Sequence, residues 1–305
     1  MDVAELVTTC QVVPDQRYAG LWDSIVVETA IKDRLLRSAL LSLQVRPRLR
    51  FEVTALHGLQ LLYGPPGTGK TTLARGLAQE LAPLTSYGKA RLVEVNPYGL
   101  MSAEHGQSQR KVSQLLGEHI PALVDDGLPT VVVLDEVEAM AVARSEASLA
   151  ANPADVHRAT DAVLTALDAN AAALPHLLVV ATSNFTGTLD GALLSRADVV
   201  IEVPLPDAAA AGAILRATLT GMAEAYPALA RLAIDPALGK VAARLAGIDG
   251  RRIRKTVTEA MLLRLDTVMD PGNLTVSDLH AAATRICTVT SVVSEATAGD
   301  TDAAA

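Results

Sequence analysis

Aromatic side chains make up 3% of the 305 residues: two Phe, five Tyr and one Trp. Single-stranded nucleic acid is held by successive bases stacking on aromatic platforms, and so small a supply excludes a chain built around them. Cysteine is scarcer still. Cys10 and Cys287 lie near opposite ends, without C-x-x-C spacing, so neither a disulfide framework nor a structural zinc is indicated. The six histidines are scattered without metal-ligand spacing. No apolar run approaches the ~18 residues that a membrane span needs, and Asp2 and Glu5 stand where a signal peptide carries Lys or Arg. The expectation is a cytoplasmic, reduced protein with no membrane partner. Basic charge is also in deficit, with 26 Lys+Arg against 34 Asp+Glu and a net charge of -8. That sign repels a phosphate backbone, so no direct nucleic-acid partner is expected. What is present is apolar: half the residues are hydrophobic and 20% are charged, the composition of a folded chain of one large domain or two.

Residues 1–19 show no sustained period, and Pro14, Asp15 and Gln16 read as loop. Ile25, Ala30, Ile31, Leu35, Leu36, Leu40 and Leu43 recur at helical spacing and predict a helix between Asp23 and Leu43. The Arg46-Pro47-Arg48-Leu49-Arg50 segment breaks that pattern. Short apolar runs then alternate with helical stretches: Leu59 to Tyr63, Arg91 to Val95, Thr130 to Leu134, Leu177 to Thr182 and Val199 to Val203. Runs apolar on both faces predict a five-stranded parallel sheet flanked by helices, an α/β fold. After Pro204 and Pro206 amphipathic helices take over to about Ile286, and the remainder has little to bury. The expected division is an N-terminal segment 1–19, a large α/β domain 20–205, a small helical lid 206–287 and a disordered tail 288–305.

Chemistry concentrates at three strand ends. Directly after the first run comes Gly64-Pro65-Pro66-Gly67-Thr68-Gly69-Lys70-Thr71, which satisfies G-x-x-x-x-G-K-[ST] in a strand–loop–helix context. Glycines let backbone N–H groups turn inward around a phosphate, and the helix N-terminus adds positive potential. Lys70 is placed to bridge the outer phosphates of ATP, and Thr71 to give its hydroxyl to Mg²⁺. The run Val131 to Leu134 ends in Asp135 and Glu136. Strand alternation points these two carboxylates in different directions, Asp135 toward Mg²⁺ and Glu136 toward an attacking water. Asn184 closes the next strand and can orient that water or merely cap a turn. Arg196 precedes the last strand and is either an arginine finger or half of a surface ion pair with Asp198. The cluster from Arg251 to Lys255 opens a helix, against the macrodipole preference, so either an anion faces it or it is a solvated basic face.

Together these residues resemble an AAA+ ATPase, and the details are similar to the HORMA-remodelling branch of pachytene-checkpoint and thyroid-receptor-interacting type. The likeness runs from about residue 17 to 286. It is carried by Gly20-Leu21-Trp22-Asp23-Ser24-Ile25, the phosphate loop, Leu134 to Glu138, Asn152 to Asp155 with Ala162 to Asp168, Thr182-Ser183-Asn184, Arg196-Ala197-Asp198, and Gly250-Arg251 with Ile253-Arg254-Lys255. The resemblance implies ATP and Mg²⁺ as cofactors and Leu21, Trp22, Gly64, Pro65, Pro66, Gly67, Thr68, Gly69, Lys70, Thr71, Leu73, Asp135 and Arg251 in the nucleotide site. Thr71 and Asp135 hold the metal there, Glu136 is the base, Asn184 and Arg251 are the sensors, and Arg196 is the finger. It further implies a homohexamer that threads a HORMA-domain protein through its pore, as short bacterial relatives do in cyclic-oligonucleotide antiphage defence.

Two departures stand out. Only about twenty residues precede Gly-Leu-Trp-Asp-Ser, where eukaryotic members carry an adaptor-binding domain. The pore loop reads Met101-Ser102-Ala103-Glu104-His105-Gly106 where the family has large apolar residues, which leaves adaptable Met101 and flat His105 as the expected grip and six copies of Glu104 as an acidic collar favouring basic peptide. The rival reading is a nucleotide-switched AAA+ module that holds an assembly without threading anything.

Overall fold

Six strands form one sheet in the order β1-β3-β4-β5-β2-β6 in the computed structural model, which describes residues 6–96, 107–137, 153–184 and 191–288. In chain order the elements are β1 (Val7–Val13), α1 (Leu21–Ser24), α2 (Thr29–Val45), β2 (Leu59–Tyr63), α3 (Lys70–Leu81), β3 (Ala90–Val95), α4 (Gln107–Gln114), β4 (Thr130–Leu134), α5 (Pro153–Ala173), β5 (Leu177–Ser183), α6 (Gly191–Leu194) and β6 (Val199–Glu202). Strands β2 to β6 are mutually parallel. Their alternate residues feed opposite faces, the period-2 rule of a pleated strand. Leu61, Val93, Val132, Leu134 and Val179 pack under α5 and the segment that follows α4. Leu62, Leu92, Val131, Val133 and Val180 pack under α2 and α3. Both faces being covered, β4 and β5 are buried along their whole length, which is why they read as unbroken apolar runs.

The crossovers place the chemistry. From β2 the chain leaps to β3 and returns through β4 and β5 to lie against β2 again, so the loops after β2, β4 and β5 leave the same carboxyl edge of the sheet. Tyr63 lies level with Ser183, and Leu134 with Ala181. Ligands of open parallel sheets bind at that edge.

Two local readings need correction. Strand β1 lies within residues 1–19, where the sequence shows no sustained period and predicts no strand, and it pairs antiparallel with β3 at the sheet edge. Its residues Val-Thr-Thr-Cys-Gln-Val-Val are only half covered, with Val12 50% exposed, so polar residues stand on both faces and no apolar period shows. The strand puts Val13 in the core, and Leu6 just before it is buried too, its carbonyl accepting from the Asn96 N–H. The helix expected from Asp23 to Leu43 is broken at Ile25, whose extended backbone (φ -93°, ψ 115°) separates α1 from α2. Arg46 extends the core-facing stripe Leu35, Ala39, Ser42 at helical spacing and is itself buried. Its guanidinium donates to the carbonyls of Leu177, Ala171 and Leu174, and burial lowers its pKa to about 10, so it stays cationic at neutral pH.

The described chain divides into two compact units. One runs to Val203 apart from Pro66–Gly69, and the other takes Pro66–Gly69 and the chain from Pro204 onward. The second is helical: α7 (Ala208–Met222), α8 (Leu229–Ala233), α9 (Leu238–Arg244), α10 (Gly250–Met261), α11 (Leu265–Met269) and a last helix over 276–288. Asp207 caps α7 by accepting from the Ala210 N–H, and Asp249 caps α10 by accepting from the Arg252 N–H. Thr275 and Asp278 form a reciprocal capping box at the start of the last helix. Among the described residues no helix is long and apolar enough to cross a membrane.

Candidate functional site

The loop between β2 and α3 needs glycine at its first position, where φ is +147° and a Cβ would lie 2.3 Å from the Val203 carbonyl oxygen. The Gly64 N–H donates to the Ser183 carbonyl, tying the loop to the end of β5. The loop tip groups with the helical unit: Gly67 (φ +79°) lies so close to Asp249 that a Cβ there would meet its carboxylate at 2.3 Å.

Lys70 opens α3 and is 5% exposed. A buried ammonium must be hydrogen-bonded, and this one donates to the carbonyls of Gly64 (2.8 Å) and Pro65 (2.9 Å) and to Oδ1 of Asn184 (2.9 Å). The other end of that amide, Nδ2, donates to Oε1 of Glu136 at 3.3 Å. One side-chain amide thus joins the cation of the loop to the second carboxylate of β4, and its two ends are fixed by having one acceptor and one donor neighbour.

A second chain of bonds runs alongside. The Thr71 hydroxyl donates to Oδ1 of Asp135 at 2.6 Å, the Thr182 hydroxyl donates to the same oxygen, and the Glu136 N–H donates to Thr182 Oγ1 at 3.0 Å. The motif reading named Thr182 but gave it no role. Its signal was a hydroxyl at the carboxyl end of an otherwise apolar strand. Asp135 and Glu136 do diverge, though not by strand alternation: β4 stops at Leu134, and Glu136 takes a left-handed backbone with φ +51°. The side chains of Lys70, Thr71, Asp135, Glu136 and Asn184 are therefore assembled into one site, with the carbonyls of Gly64 and Pro65 on the Lys70 ammonium.

The remaining expectations scatter. Trp22 lies against α3, where a Cβ on Gly76 would meet its backbone at 2.8 Å, and Lys32 donates to its carbonyl. Leu21 packs on the same apolar cluster, within which Leu73 is fully buried. Arg251 is exposed on α10 in the helical unit. Met101, Glu104 and His105 lie outside the described residues.

Arg196 does not pair with Asp198. It forms a two-pronged pair with Asp168 on α5, Nε to Oδ1 and Nη2 to Oδ2 both at 2.7 Å, and Nη1 donates to the Ala192 carbonyl. The guanidinium holds the Asp168 carboxyl below the usual carboxylate range. Asp198 instead accepts from the backbone N–H groups of His57 and Gly58 at 2.8 and 2.9 Å, while burial pushes its carboxyl up. Asp168, 28 residues from Arg196 in the chain, carried no signal in the sequence beyond its place in a matched stretch.

A buried lysine at a helix start, a glycine loop around it, and a Thr–Asp pair at the carboxyl edge of a parallel sheet define a P-loop nucleotide-binding protein. The ATPase family associated with various cellular activities (AAA) matches residues 60–205. Over 269 residues, 88% of each chain, the sequence is 48% identical to CD-NTase-associated protein 6 of Pseudomonas aeruginosa. It is 37% identical over 202 residues to the pachytene checkpoint protein 2 homolog of Arabidopsis thaliana, spanning 64% of this chain and 42% of that one. The solved E. coli MS115-1 HORMA:CdnC:Trip13 complex contains a chain of the same fold, with TM-score 0.73, 20% identity, and coverage of 93% and 96% of the two chains. The chain belongs to the AAA ATPases, in the branch of CD-NTase-associated protein 6 and pachytene checkpoint protein 2.

Proposed function

We propose that this chain hydrolyses ATP with Mg²⁺ in a homohexameric ring and uses the cycle to remodel a HORMA-domain protein in a cyclic-oligonucleotide defence system. The observation that carries the hydrolytic part is the Lys70–Asn184–Glu136 chain beside the Thr71–Asp135 pair. A hydroxyl and a carboxylate oxygen are the hard donors that Mg²⁺ accepts, and a short set of protein ligands suits an ion that keeps several waters. Thr71 and Asp135 would hold it. When bound, it neutralises phosphate charge.

The chain's own groups do the rest. The loop N–H groups and the start of α3 bind the phosphates, and Lys70 reaches them by exchanging an acceptor. Asn184 holds Glu136 by its carboxylate while the left-handed turn aims it. As water oxygen bonds to the terminal phosphorus, its proton passes to Glu136 and the bridging oxygen leaves with ADP. Arg196 of one subunit offers its guanidinium to the phosphates held by the next, the chain from residue 206 to 287 serves as lid, and Arg251 senses nucleotide from it. Met101 and His105 are the proposed grip on substrate, from the adaptability of the one and the flatness of the other, and Glu104 the acidic collar beside them.

The partner reading is supported by the HORMA protein in the similar complex and by the similarity to a CD-NTase-associated protein. The test is to follow a folded HORMA-domain protein, taken from the same genome, with ATP and either wild type or Glu136→Gln. Conversion or unfolding by wild type and none by the variant is expected. Slow hydrolysis with no change in the partner would favour the nucleotide-switched holding module.

A further inference from the structure

Arg196 carries a long side chain with many rotamers, yet a group that acts on a neighbour's phosphate must be aimed before the phosphate arrives. Three segments converge on it. Asp168 stands on α5, whose neighbours Leu164, Leu167 and Ala171 are buried in the core, so the carboxylate rides on a fixed element. Its two oxygens take the Nε and Nη2 edge of the guanidinium at 2.7 Å each, and the third nitrogen donates to Ala192 one turn back. The carboxylate has a second neighbour: Nε2 of His57 lies 3.3 Å from Asp168 Oδ1, the oxygen that also takes the Arg196 Nε–H. The His57 backbone is pinned by Asp198, two residues beyond Arg196. The contacts close a ring, Arg196 to Asp168 to His57 to Asp198 and back along the chain to Arg196. A fork on one edge of a planar guanidinium sets its rotation about every side-chain bond, which one hydrogen bond does not.

We propose that Asp168 is the positioning residue of Arg196, fixing its guanidinium in the orientation in which it serves the adjoining subunit's nucleotide. The proposal rests on the reading of Arg196 as acting in trans. It differs from a resting latch, in which Asp168 would compete with phosphate and its removal would speed hydrolysis. Asp168 touches no substrate, and its effect is confined to the subunit that lends the arginine.

That confinement gives the test. Full-length Lys70→Ala protein has an intact Arg196, and Arg196→Ala protein has an intact loop, so rings mixed from the two recover hydrolysis at the interfaces that combine them. Asp168→Asn is then added to one chain or the other. On the Lys70→Ala chain it should cut the recovered rate about tenfold to a hundredfold, and Asp168→Glu, which keeps a carboxylate, should restore part of it. On the Arg196→Ala chain, which lends no finger, it should leave the rate within twofold. Melting curves of each variant show that it is folded. A loss on both chains, a loss on the Arg196→Ala chain alone, no loss on either, or a faster rate would overturn the proposal. No recovery in the parent pair, in rings shown to be mixed, would instead overturn the trans reading, and the proposal with it.

Discussion

Glu136 holds a left-handed backbone that a β-carbon resists, a conformation costing of order 1–3 kcal/mol and kept only where surrounding contacts impose it. Those contacts are its own N–H on Thr182 and its carboxylate on Asn184. In the proposed mechanism this strain aims the carboxylate. Glu136→Gln keeps the shape and loses the base, so it should bind ATP normally while hydrolysis falls about 10²- to 10⁴-fold; a rate within a few-fold of wild type would remove Glu136 from that role. Glu136→Gly, freed from the strain, should melt no lower than wild type and be equally inactive. Lys70→Ala strips a donor from two loop carbonyls as well as from the phosphates, so it should lose ATP binding itself, read by a fluorescent nucleotide.

The elements differ in how plainly they show themselves. Strands β2 to β6 were legible because both faces of the sheet are covered, so their runs carry little but apolar residues, and the residues that follow β2, β4 and β5 were legible because the chemistry sits just past the last apolar position. Edge strand β1 was hidden by its half-exposure. Arg46 was hidden by its charge, although it falls on the same helical stripe as Leu35 and Ala39. Asp168 and the linking role of Thr182 were out of reach because each exists only through a partner brought from a distant part of the chain. Strand β2 holds one conflict with its surroundings: the Gln60 amide is fully buried, with no hydrogen-bond partner for Oε1 or Nε2 among the described residues. Replacing such a group by an apolar one of like size removes a desolvation cost of about 1–3 kcal/mol. Gln60→Leu should therefore raise the melting temperature, by roughly 2–4 °C per kcal/mol for a unit of this size. A lower melting temperature would show that the amide is bonded in solution.

At the scale of the whole molecule, the account turns on an active site completed by a second subunit. The loop, the Thr71–Asp135 pair and Glu136 lie within one chain, whereas Arg196 is tied to Asp168 and, in the proposed ring, faces the neighbour's nucleotide. A closed ring is the arrangement in which every subunit both lends and receives such a residue. Glu136→Gln with ATP and Mg²⁺ should accordingly run as a hexamer by light scattering. The most direct measurement is the steady-state ATPase rate of Lys70→Ala and Arg196→Ala proteins, each inactive alone, after mixing in varied ratio. The account predicts recovered hydrolysis that peaks at intermediate ratios, where interfaces pairing an intact loop with an intact Arg196 are commonest. Rings shown to contain both chains and yet inactive at every ratio would contradict it.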